Sequence, residues 1–163
     1  MTDDQTVLLQ RARVLSRRKA SPAGETLELL FFSIGDERFA LEARFVLEHA
    51  RIADLAPLPG AAAPFVGIVP WRGEPLAAID IRGLFGGVPR GISDFPRMIV
   101  VGAAEAEVAV LVETADEIRT VPRASLSATA HALGIGATSD ARLVLDSRAL
   151  LDDPRLILDW DGD

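Results

Sequence analysis

The chain contains no cysteine, which removes a whole class of chemistry. With none among its 163 residues, disulfides, thiolate zinc sites, iron–sulfur clusters and a cysteine nucleophile are excluded. Histidine is scarce too: His49 and His131 lie in different segments and form no His-x-x-x-His pair. No Gly-x-Ser-x-Gly elbow surrounds a serine, and no glycine-rich stretch completes a phosphate-binding or dinucleotide-binding motif. The sequence therefore predicts a protein that is not an enzyme and holds no metal or cofactor.

Long apolar runs and a basic amino-terminal signal are also missing. No apolar run approaches the roughly 20 residues that a helix needs to cross a bilayer, and Asp3 and Asp4 stand where a secretory signal would be basic. These features predict a cytoplasmic protein without direct membrane insertion. The formal net charge is −7; five basic and two acidic residues give residues 1–20 a charge of +3, which leaves −10 for the rest. Because phosphate binding needs a basic face, nucleic acid is not an expected partner.

The chain divides into an arm, a hinge and a body. Residues 1–20 contain neither proline nor glycine, and Leu8 and Leu15 share one helical stripe, which predicts a helical arm. Residues 21–25, Ser-Pro-Ala-Gly-Glu, predict a hinge. Residues 26–163 consist mostly of short apolar runs between turn-forming residues, which indicates a mainly β body. The arm either packs on this body or docks on a neighbouring protein, and the sequence leaves both open.

Two weak internal repeats run through the body. Residues 78–85 and 144–151 share the order apolar, apolar, Asp, x, Arg, x, Leu, apolar. Residues 31–41 and 99–111 each read as an apolar strand, a glycine-containing turn and a second apolar strand. Such pairing predicts two similar β lobes within one compact unit. Chance similarity between apolar strands is the alternative.

One arginine stands out at a predicted hairpin turn. Arg72 lies between Trp71 and Gly73, where two apolar strands meet. Arginine is seldom buried without a partner, and the glycine marks a demanding backbone, so the side chain is expected to be presented to solvent. The alternative is a surface arginine that stacks on Trp71 or pairs with a nearby carboxylate, for a modest gain in stability.

Several of these motifs together resemble those of the CheW-type coupling proteins of bacterial chemosensory arrays. The resemblance spans roughly residues 26–158. Residues 31–48 are similar to the family's first hairpin, with its Gly-Asp-Glu turn followed by an aromatic residue. Residues 67–73 resemble the family's Gly-Val-x-x-x-Arg-Gly turn, and residues 80–82 its Asp-Leu-Arg. Residues 142–151 resemble its closing strand and helix.

The resemblance implies both a fold and a function. The implied fold is mainly β, with two small five-stranded SH3-like β-barrel lobes, here preceded by an N-terminal α-helix. The implied function is a non-catalytic adaptor that couples chemoreceptors to a CheA-type histidine kinase. One lobe would bind the kinase's regulatory domain, and a groove near the lobe junction would receive the cytoplasmic tip of a methyl-accepting chemoreceptor. The alternative is a CheW-like decoy or modulator that binds only kinase or receptor in a pathway unrelated to motility.

The resemblance also implies a set of partner-binding positions. Carried over by motif, with the neighbouring tryptophan included, they are Val46, Glu48, Gly67, Trp71 and Arg72. One departure falls within this set, because Trp71 and the proline before it stand where the family commonly has Asn-Leu. The turn is therefore expected to present a different surface in this chain. Through such partners the protein would associate with membrane-receptor arrays.

Overall fold

The computed structural model describes residues 24–86 and 95–156, and these form two β-sheets. The predicted helical arm and most of the predicted hinge lie outside the described residues, so the division of the chain at residues 1–20 and 21–25 stays a prediction. No helix within the described part of the chain is long and apolar enough to span a membrane. The strands are β1 (Thr26–Ile34), β2 (Glu37–Glu42), β3 (Val46–Arg51), β4 (Ala56–Pro57), β5 (Phe65–Trp71), β6 (Glu74–Ile79), β7 (Arg97–Val101), β8 (Val108–Val112), β9 (Thr114–Pro122), β10 (Gly134–Ala137) and β11 (Leu143–Leu145).

Helical structure within the described residues is limited to short segments. A single α-helix, α1 (Ser147–Leu151), follows β11. The remaining segments are 3-10 turns at Ala43–Phe45, Ile81–Leu84, Arg123–Ser125 and Pro154–Leu156. The predicted mainly β class is confirmed.

Each sheet forms one lobe. Lobe A is the five-stranded sheet, in the order β10-β11-β2-β1-β9, and lobe B is the six-stranded sheet, in the order β3-β7-β8-β6-β5-β4. All strand pairs are antiparallel except β11 with β2 in lobe A and β6 with β8 in lobe B. Lobe B exceeds the predicted five strands because the two-residue strand β4 adds to the edge of β5.

The two lobes share one topology. Without β4, the strand order of lobe B matches that of lobe A position by position, and the single parallel pair falls at the same place in each. The first half of the chain gives β1 and β2 to lobe A and its remaining strands to lobe B, whereas the second half gives β7 and β8 to lobe B and β9, β10 and β11 to lobe A. The repeated motifs seen in the sequence therefore occupy equivalent places, and the two halves exchange strands.

The repeated aspartates begin equivalent helical turns. Asp80 follows β6, and its Oδ1 accepts a hydrogen bond of 3.0 Å from the backbone N–H of Arg82. Asp146 follows β11, and its Oδ1 accepts one of 3.1 Å from the backbone N–H of Ala149. An aspartate at this position satisfies a backbone donor that the first turn of a helix leaves unpaired. The shared Asp-x-Arg pattern thus marks where the last strand of each half of the chain turns into a helical segment.

Strand β1 is buried on both faces, which joins the two lobes through one core. Successive side chains of a strand point to opposite faces. Leu29 and Phe31 belong to a cluster inside lobe A, whereas Leu30, Phe32 and Ile34 belong to a cluster that also contains the interior of lobe B. This double burial explains why the first strand is an almost continuous apolar run rather than an alternating one.

Candidate functional site

The hairpin between β5 and β6 closes with a strained two-residue turn. Trp71 pairs with Glu74, so Arg72 and Gly73 form the whole loop. Their φ angles are +49° and +80°, and positive φ at both central residues is the pattern of a type I′ turn, which favours Asn-Gly. The left-handed backbone costs a residue with a Cβ about 1–2 kcal/mol. Local conformational preference therefore does not explain an arginine at this position.

The Arg72 side chain is exposed and rests on an aromatic ring. Its Cζ lies 4.5 Å from the centroid of the Trp71 ring. No carboxylate of the described residues forms an ion pair with it. The expected presentation to solvent and the alternative of stacking on Trp71 are therefore both observed, since the side chain is exposed and its guanidinium lies over the neighbouring ring.

The Trp71 ring is held in turn by Glu48. The indole Nε1–H donates a hydrogen bond to Oε2 of Glu48, and both side chains are half-buried. Glu48 lies on β3, which is separated from β5 by three strands in the sheet order of lobe B. The hydrogen bond therefore joins two strands that are not neighbours in the sheet, at one end of lobe B.

A β-bulge at the start of β3 exposes an apolar side chain beside this contact. Val46 pairs with Val101 and Glu48 with Val100, so Leu47 is an extra residue on its strand. Bulges of this kind redirect side chains. Leu47 is 37% exposed, which makes it one of two large apolar side chains exposed in the described parts of the chain.

Leu47 and the hairpin turn line a cleft of about 620 Å³ in lobe B. Leu76 and Ala106 add apolar surface beside Leu47, and Glu74 and Glu105 add carboxylates to the rim. Trp71 and Arg72 line the same cleft. An apolar floor with a few polar groups at the rim is the usual composition of a binding groove. The cleft could thus receive a segment that carries both an apolar side chain and hydrogen-bond acceptors.

Comparison with known proteins agrees with this architecture. The family model described as a CheW-like domain matches residues 28–159. The chain belongs to the CheW-like domain family. Among solved structures, the chain is similar to the scaffolding protein TtCheW from Thermoanaerobacter tengcongensis, with a TM-score of 0.65 and 21% sequence identity over 80% of this chain and 96% of that chain. At this identity the likeness shows a shared fold. A search of curated proteins finds no match.

The five predicted site residues of this CheW-like chain are only partly brought together. Glu48, Trp71 and Arg72 form one connected group, and Val46 is half-buried at the start of β3. Gly67 is buried, and a Cβ there would overlap the carbonyl oxygen of the first residue of β4. The close approach of β4 accounts for this glycine. A contact between either Val46 or Gly67 and a partner stays a prediction.

Leu47 is the exposed large apolar residue of the cleft, and it is absent from the predicted site residues. In a regular strand it would face opposite to Val46 and Glu48, the two positions that the family resemblance implies. The bulge breaks this alternation, and a bulge leaves no clear sign in a short apolar stretch. The only sequence signal is an apolar residue between two positions that the family resemblance implies.

The internal repeat places a second cleft at the equivalent turn of lobe A. This cleft, of about 440 Å³, lies at the β10–β11 turn, where Ala141 has a φ of +65°. Phe39 and Phe85 contribute its aromatic surface. Its acidic lining includes Asp140, whose pKa is lowered chiefly by a hydrogen bond from the Thr138 side chain. The two clefts therefore occupy equivalent places but present different chemistry.

The histidines of the described regions are engaged separately. His49 Nε2 lies 3.4 Å from Nη1 of Arg97, and burial together with this guanidinium lowers the pKa of His49. The His131 ring packs on Phe85 at 4.2 Å between centroids. Within residues 24–86 and 95–156, no group of three or more His, Asp or Glu side chains is placed to hold a metal ion.

Proposed function

We propose that this chain is a non-catalytic adaptor that joins a chemoreceptor to a CheA-type histidine kinase, and that it lies in the cytoplasm at receptor arrays through these partners. Membership of the CheW-like family supports a scaffolding role in chemosensory signalling. The observation that carries the proposal is the exposed Arg72 guanidinium, presented on the Trp71 ring at the rim of the cleft in lobe B. The cleft is suited to binding a protein segment.

The cleft offers two kinds of contact to such a partner. Leu47 and Leu76 provide apolar surface, and burying an apolar side chain of the partner there would stabilise a complex. The Arg72 guanidinium is planar and donates several hydrogen bonds in a fixed fork, which suits carboxylate or carbonyl acceptors. We propose Trp71 and Arg72 as direct contacts in this cleft. Val46, Glu48 and Gly67 complete the partner-binding set that the family resemblance implies.

Pairwise binding tests this proposal. The purified chain is titrated separately with the regulatory domain of a CheA-type kinase and with the cytoplasmic tip of a chemoreceptor, by calorimetry. The adaptor role predicts that it binds both, and that Arg72→Ala weakens at least one of the two complexes. Binding to only one of them would instead indicate a decoy or modulator. Absence of binding to either would refute the proposed function.

A further inference from the structure

The position of the Arg72 guanidinium depends on a neighbouring ring. Arginine has a long, flexible side chain, and ordering such a side chain in a complex costs conformational entropy. In this chain the guanidinium already lies over the Trp71 ring, 4.5 Å from its centroid. No hydrogen bond or ion pair with a described residue engages its N–H groups, which stay available to a partner. The ring therefore arranges the side chain before a partner arrives.

The Trp71 ring has its own support. Its edge donates the Nε1–H hydrogen bond to the Glu48 carboxylate, while its face carries Arg72. A half-buried indole N–H that lost its acceptor would be left unsatisfied, which favours rotation of the ring towards water. The Glu48 carboxylate is thus already engaged inside the molecule. It is connected to the exposed guanidinium through the ring between them.

We infer that Glu48, which the family resemblance implies as a partner-binding position, is instead a positioning residue for Arg72 that acts through the Trp71 ring and does not itself contact the partner. This inference rests on the proposed function, in which Arg72 binds the partner. It assigns a role to the tryptophan that departs from the family's common Asn-Leu at the turn, because the indole provides both the N–H that Glu48 accepts and the face on which Arg72 lies. The free N–H edges of Arg72 fit a planar acceptor such as a carboxylate of the partner.

The first test uses the free protein. The chain has two tryptophans, so Trp160→Phe provides a background in which the indole N–H signal in a ¹⁵N NMR spectrum belongs to Trp71. Glu48→Ala should shift this signal and speed its exchange with water, whereas Glu48→Gln, which keeps an acceptor oxygen, should change it much less. Glu105→Ala removes another carboxylate near the ring, one that lines the cleft, and serves as the control. An indole signal that Glu48→Ala leaves unchanged would overturn the inference.

The second test is a double-mutant cycle on binding of whichever partner responds to Arg72→Ala. We expect Glu48→Ala alone to weaken binding about five- to tenfold, and Glu48→Gln to restore most of the loss. In an Arg72→Ala background, Glu48→Ala should cause no further loss, because it acts only through the missing guanidinium. Losses that multiply in the double variant would show that Glu48 acts independently of Arg72 and would overturn the inference.

The two tests keep the inference separate from the proposed function. If the wild-type chain binds neither partner, the proposed function fails, together with any role of Glu48 in binding. The indole measurement would still decide whether Glu48 holds the ring. If the wild-type chain binds and the cycle is additive, the proposed function stands and the positioning role of Glu48 is refuted.

Discussion

Replacing Arg72 with asparagine should separate the stability of the hairpin from its binding. Asparagine is favoured at the first position of a type I′ turn, so the change should relieve part of the roughly 1–2 kcal/mol that the left-handed backbone costs arginine. It also removes the stacking on Trp71, which is worth about 0.5–1 kcal/mol at an exposed site. The two effects nearly cancel, and we expect the free energy of unfolding to stay constant or rise by up to about 1 kcal/mol.

Partner affinity should fall in the same Arg72→Asn variant. Loss of the guanidinium should cost about 1–3 kcal/mol of partner affinity, roughly a five- to 150-fold weakening. Arg72→Ala should behave similarly, with a change in stability below about 1 kcal/mol, whereas Arg72→Lys should retain part of the affinity because it keeps the charge and loses the fork. Urea unfolding and calorimetric binding are measured on the same preparations.

Arg51→Asn is the matched control, because Arg51 is an exposed arginine on β3 that lies outside the cleft lining. It should alter neither the free energy of unfolding nor partner affinity. If Arg72→Asn binds normally yet unfolds much more easily, then Arg72 holds the hairpin together, and the reasoning about this turn is refuted.

Three further predictions concern the fold. Asp80→Ala should lower the free energy of unfolding by about 3–5 kcal/mol, because the buried Asp80 carboxylate lies 2.6 Å from Nη2 of Arg82; urea unfolding within about 1 kcal/mol of wild type would contradict this. Gly67→Ala should cost about 1–3 kcal/mol, since its methyl group would push β4 away, and an unchanged melting temperature would argue against that close approach. Hydrogen bonds from Arg155 lower the pKa of Asp153 in the folded protein. These bonds should therefore stabilise the folded state fully above the unfolded pKa of about 3.9, and this contribution should be lost as pH falls through the lower folded pKa. Asp153→Asn should therefore lower stability at pH 7 far more than at pH 2, and an equal loss at both would refute the linkage.

The lobes could be predicted from the sequence because their signals are local. The Asp-x-Arg motifs of residues 78–85 and 144–151 mark helical turns whose caps lie two or three residues from the aspartate. The exchange of strands between lobes could not be predicted in this way. β3 and β9 each pair with a strand from the other half of the chain. This choice depends on contacts between residues far apart in sequence, and the residues of a strand alone do not determine which strand pairs with it.

The distinction between local and long-range signals applies to the candidate site as well. The presentation of Arg72 follows from its immediate neighbours, because Gly73 marks the turn and Trp71 offers a ring. The bond from Trp71 to Glu48 joins residues 23 positions apart and needs lobe B to bring β3 and β5 together at one end. It also needs the bulge at Leu47, which sets the direction of the side chains at the start of β3. Neither condition can be read from a short stretch of sequence.

The most direct test of the adaptor role is kinase activity in a reconstituted mixture. Receptor-containing membranes and a CheA-type kinase are held at fixed concentration while the purified chain is added, and kinase autophosphorylation is measured. The adaptor role predicts that activity rises above the level of receptor and kinase alone as the chain is added, and that Arg72→Ala shifts the rise to higher concentrations. Inhibition at every ratio, or no change at any ratio, would contradict the claim that this chain couples receptor to kinase.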